Sequence, residues 1–142
     1  MVVIIGTIFF ASFGILTEVL FRSGKDVFLG LIKKEKINWA LPTTIYAWMI
    51  PIYGSAFVLF RIFYDMFADI GFIIQILIVT GSIFVIEYLS GFLLKKLTGK
   101  CPWEYSKGLH VHGLIRLDYA PFWMVFSYLL IVMYEFFLTL IY

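Results

Sequence analysis

A chain of 142 residues of which 63% are hydrophobic and 14% charged is unlike an ordinary globular protein, where about 25% carry charge; with a mean hydropathy of +1.00, a water-soluble domain is excluded. A net charge of +2 is too small to draw nucleic acid, and a single cysteine excludes an internal disulfide framework. Four apolar runs reach the roughly 20 residues needed to cross ~30 Å of hydrocarbon, so the expected fold is an all-α membrane protein. It is read as one integral domain over residues 1–142, with four transmembrane helices and a polar cytoplasmic hairpin between the third and fourth.

The first span is placed at about residues 2–21, apolar except for Thr7, Ser12, Thr17 and Glu18. It lacks the basic start, short apolar core and cleavage site of a secretory signal, and is read as a retained helix. Thr7, Ala11, Gly14 and Glu18 recur at four, three and four residues, which sets them on one stripe. Small residues let membrane helices approach closely, so this stripe is expected to face protein, and Glu18 with it. Residues 22–38 are read as a basic loop with Arg22, Lys25, Lys33, Lys34 and Lys36. Val27, Phe28, Leu31 and Ile32 keep helical spacing there, consistent with a short amphipathic helix on the membrane.

The second span is placed at about 39–60, with Pro42 near its start, a kink at Pro51, and a small-residue face of Thr44, Ala47, Pro51 and Gly54. A turn holding Arg61 and Asp65 leads to the third span, about 66–94, in which Thr80, Glu87, Ser90 and Gly91 share a face. The fourth is placed at about 119–142. Ten of the eleven Lys and Arg lie in the first and third loops, and only Arg61 in the second. The excess of basic residues on the cytoplasmic side of membrane proteins then puts loops 22–38 and 95–118 inside and both termini outside, with the plasma membrane of a prokaryote as the expected location. All four spans bring polar groups to the layer beneath the Cys101–Asp118 loop.

The blocks Gly14-Ile-Leu-Thr-Glu-Val-Leu-Phe21, Thr43-Thr-Ile-Tyr-Ala47 with Ile52-Tyr-Gly54, Glu87-Tyr-Leu-Ser-Gly-Phe92, Cys101-Pro-Trp-Glu-Tyr-Ser106 and Gly113-Leu-Ile-Arg-Leu-Asp-Tyr119 with Trp123 carry a resemblance. With them the chain resembles the transmembrane protein 229 family, whose bacterial relatives are labelled CmpB-like type IV ABC-transporter membrane proteins. The blocks fall in family order over nearly the whole chain. The resemblance implies a four-helix membrane protein and supplies no ATPase. Nor do the residues: the Gly24-Lys25 pair has Val19 where a phosphate loop needs its first glycine and Asp26 where it needs Ser or Thr.

Glu18 and Glu87 are the leading candidates, because an ionisable group at membrane depth is costly and by default functional. Two readings stand side by side. The carboxylates floor a pocket for a cation, a proton or an amine-bearing headgroup, or they serve bonding within the bundle, Glu18 to Arg22 one turn on and Glu87 to loop amides or tyrosines. Trp103 and Tyr105 either wall a headgroup site or sit at the interface as such rings do. Asp118 reads as a helix cap or a ligand group, and Arg116 with Lys107 as a binder of lipid phosphate. Cys101 would need a base and an electropositive setting to be a nucleophile, and a lone cysteine before proline reads rather as structural. Cys101, Glu104, His110 and His112 match no standard zinc spacing, and neither a Gly-x-Ser-x-Gly nor a His-Glu-x-x-His string occurs.

The expected protein is therefore a transporter-like subunit that binds or passes a small molecule or lipid headgroup through a polar cytoplasmic cavity. Its ligand-binding residues are Glu18, Thr44, Glu87, Trp103, Tyr105, Arg116, Asp118 and Tyr119; no catalytic or metal residues and no cofactor are assigned. Membrane lipids, and either a second copy or another membrane subunit, are its expected partners. The rivals are a membrane-embedded lipid-modifying enzyme and a structural or assembly subunit.

Overall fold

The structure is a computed structural model that describes residues 1–34, 36 and 43–141. Four helices carry the chain: α1 (Val2–Lys33), α2 (Met49–Phe63), α3 (Phe72–Thr98) and α4 (Ala120–Ile141). A two-stranded ribbon of β1 (His110–Val111) and β2 (Ile115–Arg116) lies between the last two. Together with short helical turns that extend α2 to Met66 and begin α4 at Leu117, all four helices are long and apolar enough to cross a membrane. The chain divides into two compact units, residues 1–61 and 62–142.

In the first unit α1 does not stop at residue 21. It runs unbroken for 32 residues, about 48 Å at 1.5 Å per residue, and takes up most of the stretch read as a basic loop. The periodic Val27, Phe28, Leu31 and Ile32 continue the helix, and no proline interrupts it. Lys34 ends it in the left-handed conformation, φ 54°, its N–H turned back to the carbonyls of Gly30 and Leu31. The expected small-residue stripe packs: Ala11 and Gly14 are buried, and Gly14 lies against the ring of Tyr53 while Gly54 lies against Thr7 and Ala11. Phe10 meets Phe57 and Phe60, ring centroids 5.4 and 6.1 Å away.

The second helix differs from its expected form. Pro42 lies outside the described residues, residues 43–48 are not helical, and α2 begins at Met49. Thr44 and Ala47 thus precede the helix, and both are exposed, as is Pro51. Pro51 stands in the first turn, where no intrahelical bond is lost, so it starts the helix instead of kinking it. The packed face is Met49, Gly54, Phe57 and Phe60.

In the second unit residues 67–70 form turns and a bend, and Gly71 precedes α3. The Gln75 amide nitrogen secures this corner by donating to the carbonyls of Ala68 and Ile70 at 2.7 and 2.9 Å. At the same end Tyr64 packs on Tyr134, centroids 4.9 Å apart, and donates its hydroxyl to Glu135. Helices α3 and α4 pair through a buried Thr80–Ser127 hydroxyl bond of 2.9 Å, among Val79, Phe126, Leu130 and Ile131. Hydroxyls serve this purpose at membrane depth because no water competes for them.

Candidate functional site

The polar stretch after α3 folds as a small cap. Gly99, at φ 78°, turns the chain out of the helix with its N–H on the Lys95 carbonyl. The Cys101–Glu104 turn closes through Glu104 N–H on the Cys101 carbonyl at 3.2 Å, and Tyr105 N–H then bonds to the Gly113 carbonyl at 2.8 Å. Strands β1 and β2 pair antiparallel, His110 opposite Arg116 and Val111 opposite Ile115. The turn between them has His112 and Gly113 both at positive φ, 52° and 71°, closed by Leu114 N–H on the Val111 carbonyl; this backbone suits the twist of a hairpin.

Cys101, Trp103, Leu114 and Ile115 make the core of the cap, none more than 9% exposed. The Trp103 indole N–H donates to the Leu114 carbonyl at 3.2 Å. Gly91 of α3 is the seat: a Cβ there would stand 3.3 Å from Cys101 Sγ, Leu114 Cδ2 and Trp103 Cζ2. The sequence pattern Glu87-x-x-x-Gly91 thus puts an acid one turn before a notch into which the cap fits.

Around that core lies the polar cluster. The Tyr105 hydroxyl donates to Glu87 Oε1 at 2.8 Å. The Tyr105 ring meets Tyr119 edge to face, centroids 6.1 Å apart at 88°. Into this aromatic corner comes Arg116, its guanidinium carbon 4.0 Å from the Tyr119 ring centre and 5.9 Å from that of Tyr105. Arg116 also grips Asp118 with two nitrogens and donates to the Tyr119 hydroxyl at 2.9 Å. The Asp118 carboxylate beside it raises the Arg116 pKa further above its ordinary value. On the rim, Lys95 pairs with Glu104 and Tyr88 shares a proton with His112 Nδ1 at 2.9 Å.

Of the sequence candidates, the structure gathers Glu87, Tyr105, Arg116, Asp118 and Tyr119. Trp103 stands behind them, buried in the cap. Asp118 lies in the helical turn before α4, a turn without a side-chain cap, and its carboxylate is held by Arg116. Glu18 and Thr44 belong to the first unit. There Glu18 has both oxygens engaged, Oε1 by Arg22 Nε and Oε2 by the Tyr53 hydroxyl, each at 2.5 Å; Thr44 is exposed ahead of α2. Tyr53 is the partner that sequence reasoning passes over, although it lies in the block Ile52-Tyr53-Gly54 and next to a packing glycine. Gly108 is also missed. At φ 81° it lies directly beneath the Arg116 guanidinium, and nothing in the sequence pairs the two.

The chemistry open to this cluster is recognition. It offers a carboxylate, two phenols and an aromatic-stacked guanidinium, which suit charged or zwitterionic groups. Burial pushes the Cys101 thiol up from its ordinary pKa of 9.0, which keeps it protonated and poorly nucleophilic near neutral pH. The four residues of the imagined zinc set are dispersed among other partners: His110 Nδ1 accepts the Gly113 N–H, His112 takes Tyr88, Glu104 takes Lys95, and Cys101 is in the cap core. Among the described residues no three His, Cys, Asp or Glu are placed to hold a metal ion.

No solved structure matches this chain. The four apolar helices fit an integral membrane protein, and a family model described as "Putative ABC-transporter type IV" matches residues 7–142. With all but the first six residues inside that match, the chain belongs to this family of ABC-transporter-like membrane proteins.

Proposed function

We propose that the protein is a transporter-like membrane subunit in which the polar cluster of α3, the cap and the start of α4 binds or passes a small molecule or a lipid headgroup. The observation that carries this is the position of Arg116: its guanidinium is held over the Tyr119 ring in a two-tyrosine corner, and Tyr105 links that corner to Glu87. A cation on one side of the tyrosines and an acid on the other form a template for a ligand bearing both charges. In the same proposal the basic loops face the cytoplasm of a prokaryotic plasma membrane, both termini lie outside, and the kinship extends to transmembrane protein 229. A single four-helix chain offers little room for a private path, so a second copy or another membrane subunit is proposed to complete it.

Native mass spectrometry of protein released gently from membranes tests this reading. A co-purifying lipid or metabolite that is lost in Glu87→Gln and in Arg116→Ala supports it and identifies the occupant. A ligand-free mass, with no stabilisation of the wild type across lipid and metabolite panels, counts against it, because a ligand of the native state must raise stability.

A specific observation favours a second reading, that of a structural or assembly subunit. Arg116 with Asp118, Lys95 with Glu104 and Tyr105 with Glu87 are bonds within the unit that tie cap to helix without any ligand. On that reading Glu87→Gln lowers the melting temperature and changes no bound mass.

A further inference from the structure

The two histidines of the chain both fall in the hairpin of the cap, and each engages its Nδ1. Their bonds differ in kind. His110 Nδ1 accepts the Gly113 backbone N–H at 3.2 Å. A backbone amide can only donate, so this bond needs a lone pair on Nδ1 and hence a neutral ring. A protonated imidazole carries hydrogen on both nitrogens and accepts nothing. His112 Nδ1 faces the Tyr88 hydroxyl at 2.9 Å, and a hydroxyl can donate or accept. That bond therefore survives protonation of His112, with the ring as donor.

Gly113 passes this difference on. It is buried, its N–H is held by His110, and its carbonyl accepts the Tyr105 N–H at 2.8 Å. Tyr105 in turn donates its hydroxyl to Glu87 of α3. A line of bonds thus runs from an exposed imidazole, through one peptide unit, to the carboxylate of the candidate site. The same turn holds His112 at φ 52°, a conformation that is costly for a residue with a side chain, so it depends on the bonds that close it. The charged and titratable groups around His110 come from each neighbouring segment. Arg116 stands opposite on β2, bonded to Asp118 and Tyr119 of the following turn. The Glu104 side chain lies against Gly113 and holds Lys95, and Lys107 lies three residues back along the chain. Carboxylates ordinarily titrate below this range and lysine, arginine and phenols above it, so of these residue types only imidazole changes charge between pH 5 and 8.

We propose that His110 is a pH sensor built into the cap. As pH falls through the imidazole range its ring takes up a proton, the Gly113 N–H loses its acceptor, and the peptide that holds Tyr105 over Glu87 loosens. As pH rises the bond re-forms and the cap closes on its seat at Gly91. His112 keeps its bond to Tyr88 throughout and tethers the turn to α3, so the cap loosens without leaving the helix. What the switch does to a ligand rests on the reading of the Glu87–Arg116 cluster given above; the switch itself belongs to the cap.

Cys101, 5% exposed in the cap core, is the reporter. The purified protein in detergent is treated with dithiodipyridine, which reacts with thiols at acid pH as well, and the labelling rate is divided by that of glutathione at the same pH. Between about pH 7.5 and 5.5 the normalised rate of the wild type is expected to rise by roughly fivefold, the effect of one ordinary hydrogen bond. The step is expected to vanish in both variants of the sensor. His110→Asn offers an amide oxygen that accepts an N–H three residues on at any pH, and its rate should stay low; His110→Ala offers no acceptor, and its rate should stay at the acid level of the wild type. His112→Asn, which tolerates positive φ, should keep the step. A wild-type rate that does not change with pH overturns the proposal. So does a step of wild-type size in either His110 variant, or its disappearance in His112→Asn. No arm needs a ligand, so failure of the switch is told apart from failure of the ligand-binding reading, which shows as a ligand-free mass.

Discussion

Tyr105 of the cap donates its hydroxyl to Glu87 of α3 at 2.8 Å, and this single bond ties a carboxylate of an apolar helix to the polar loop that follows it. A carboxylate that accepts such a bond at membrane depth avoids part of the cost of its charge. A hydrogen bond to a charged group contributes about 1.5–3 kcal/mol. Tyr105→Phe should therefore lower the melting temperature in detergent by several degrees. Glu87→Gln should do so by less, and the double variant by less than the sum. Strict additivity in that cycle would show that the two side chains do not interact.

The Gly108–Arg116 relationship separates strain from collision. Gly108→Ala places a side chain at φ 81° and directs its Cβ onto the guanidinium. The left-handed backbone alone costs about 1–2 kcal/mol for a non-glycine residue, and the collision adds to it. In an Arg116→Ala background only the backbone part should remain, so Gly108→Ala should be less harmful there. Limited proteolysis across residues 99–117 reports the outcome, and equal sensitivity increments in both backgrounds would refute the contact.

Cys101 provides a pH signature of the folded cap. Burial holds the proton on the folded thiol, so as pH rises past the ordinary thiol value of 9.0 the unfolded chain releases it first. The unfolded state then binds fewer protons than the native one, and stability falls with pH from about that point upward. The melting temperature of the wild type should fall more steeply above pH 9 than that of Cys101→Ala, and the two slopes should agree below it. Maleimide labelling of the native thiol should be slow at neutral pH and faster in Gly91→Leu, which fills the notch where the cap sits. Rapid labelling of the wild type at pH 7 would mean that the cap is open.

In the first unit the Gly14–Tyr53 contact is the most sensitive point. A side chain at Gly14 runs into the Tyr53 ring, and overpacking of this kind costs about 1–3 kcal/mol. Gly14→Leu should destabilise the protein, and Tyr53→Ala should relieve only the ring's part of that clash, since its Cβ stays 2.7 Å from the new side chain, while giving up the hydroxyl bond to Glu18. If Gly14→Leu is as stable as the wild type by thermal melting, α1 and α2 do not meet through this glycine.

The amino-acid sequence by itself determined four apolar helices and the small-residue stripe of α1, because hydrophobic length and helical period are properties of consecutive residues. It offered Glu18–Arg22, four residues apart on one helix, as one of two readings of Glu18, and the structure has that pair. It could not settle where α1 ends, since residues 22–33 are basic enough for a loop and periodic enough for a helix; the helix prevails to Lys33. Nor could it settle the start of α2, which the sequence places near residue 39 with a kink at Pro51; the helix begins at Met49 and Pro51 stands in its first turn. The polar contacts were the least legible. Tyr53 reaches Glu18 across 35 residues, and Tyr105 reaches Glu87 across 18. Such pairs exist only once the helices have packed and the cap has turned on Gly99 and Gly113, so of the nine tyrosines tertiary structure alone selects Tyr53, and it alone shows that Tyr105, already a candidate, is the one that bonds to Glu87.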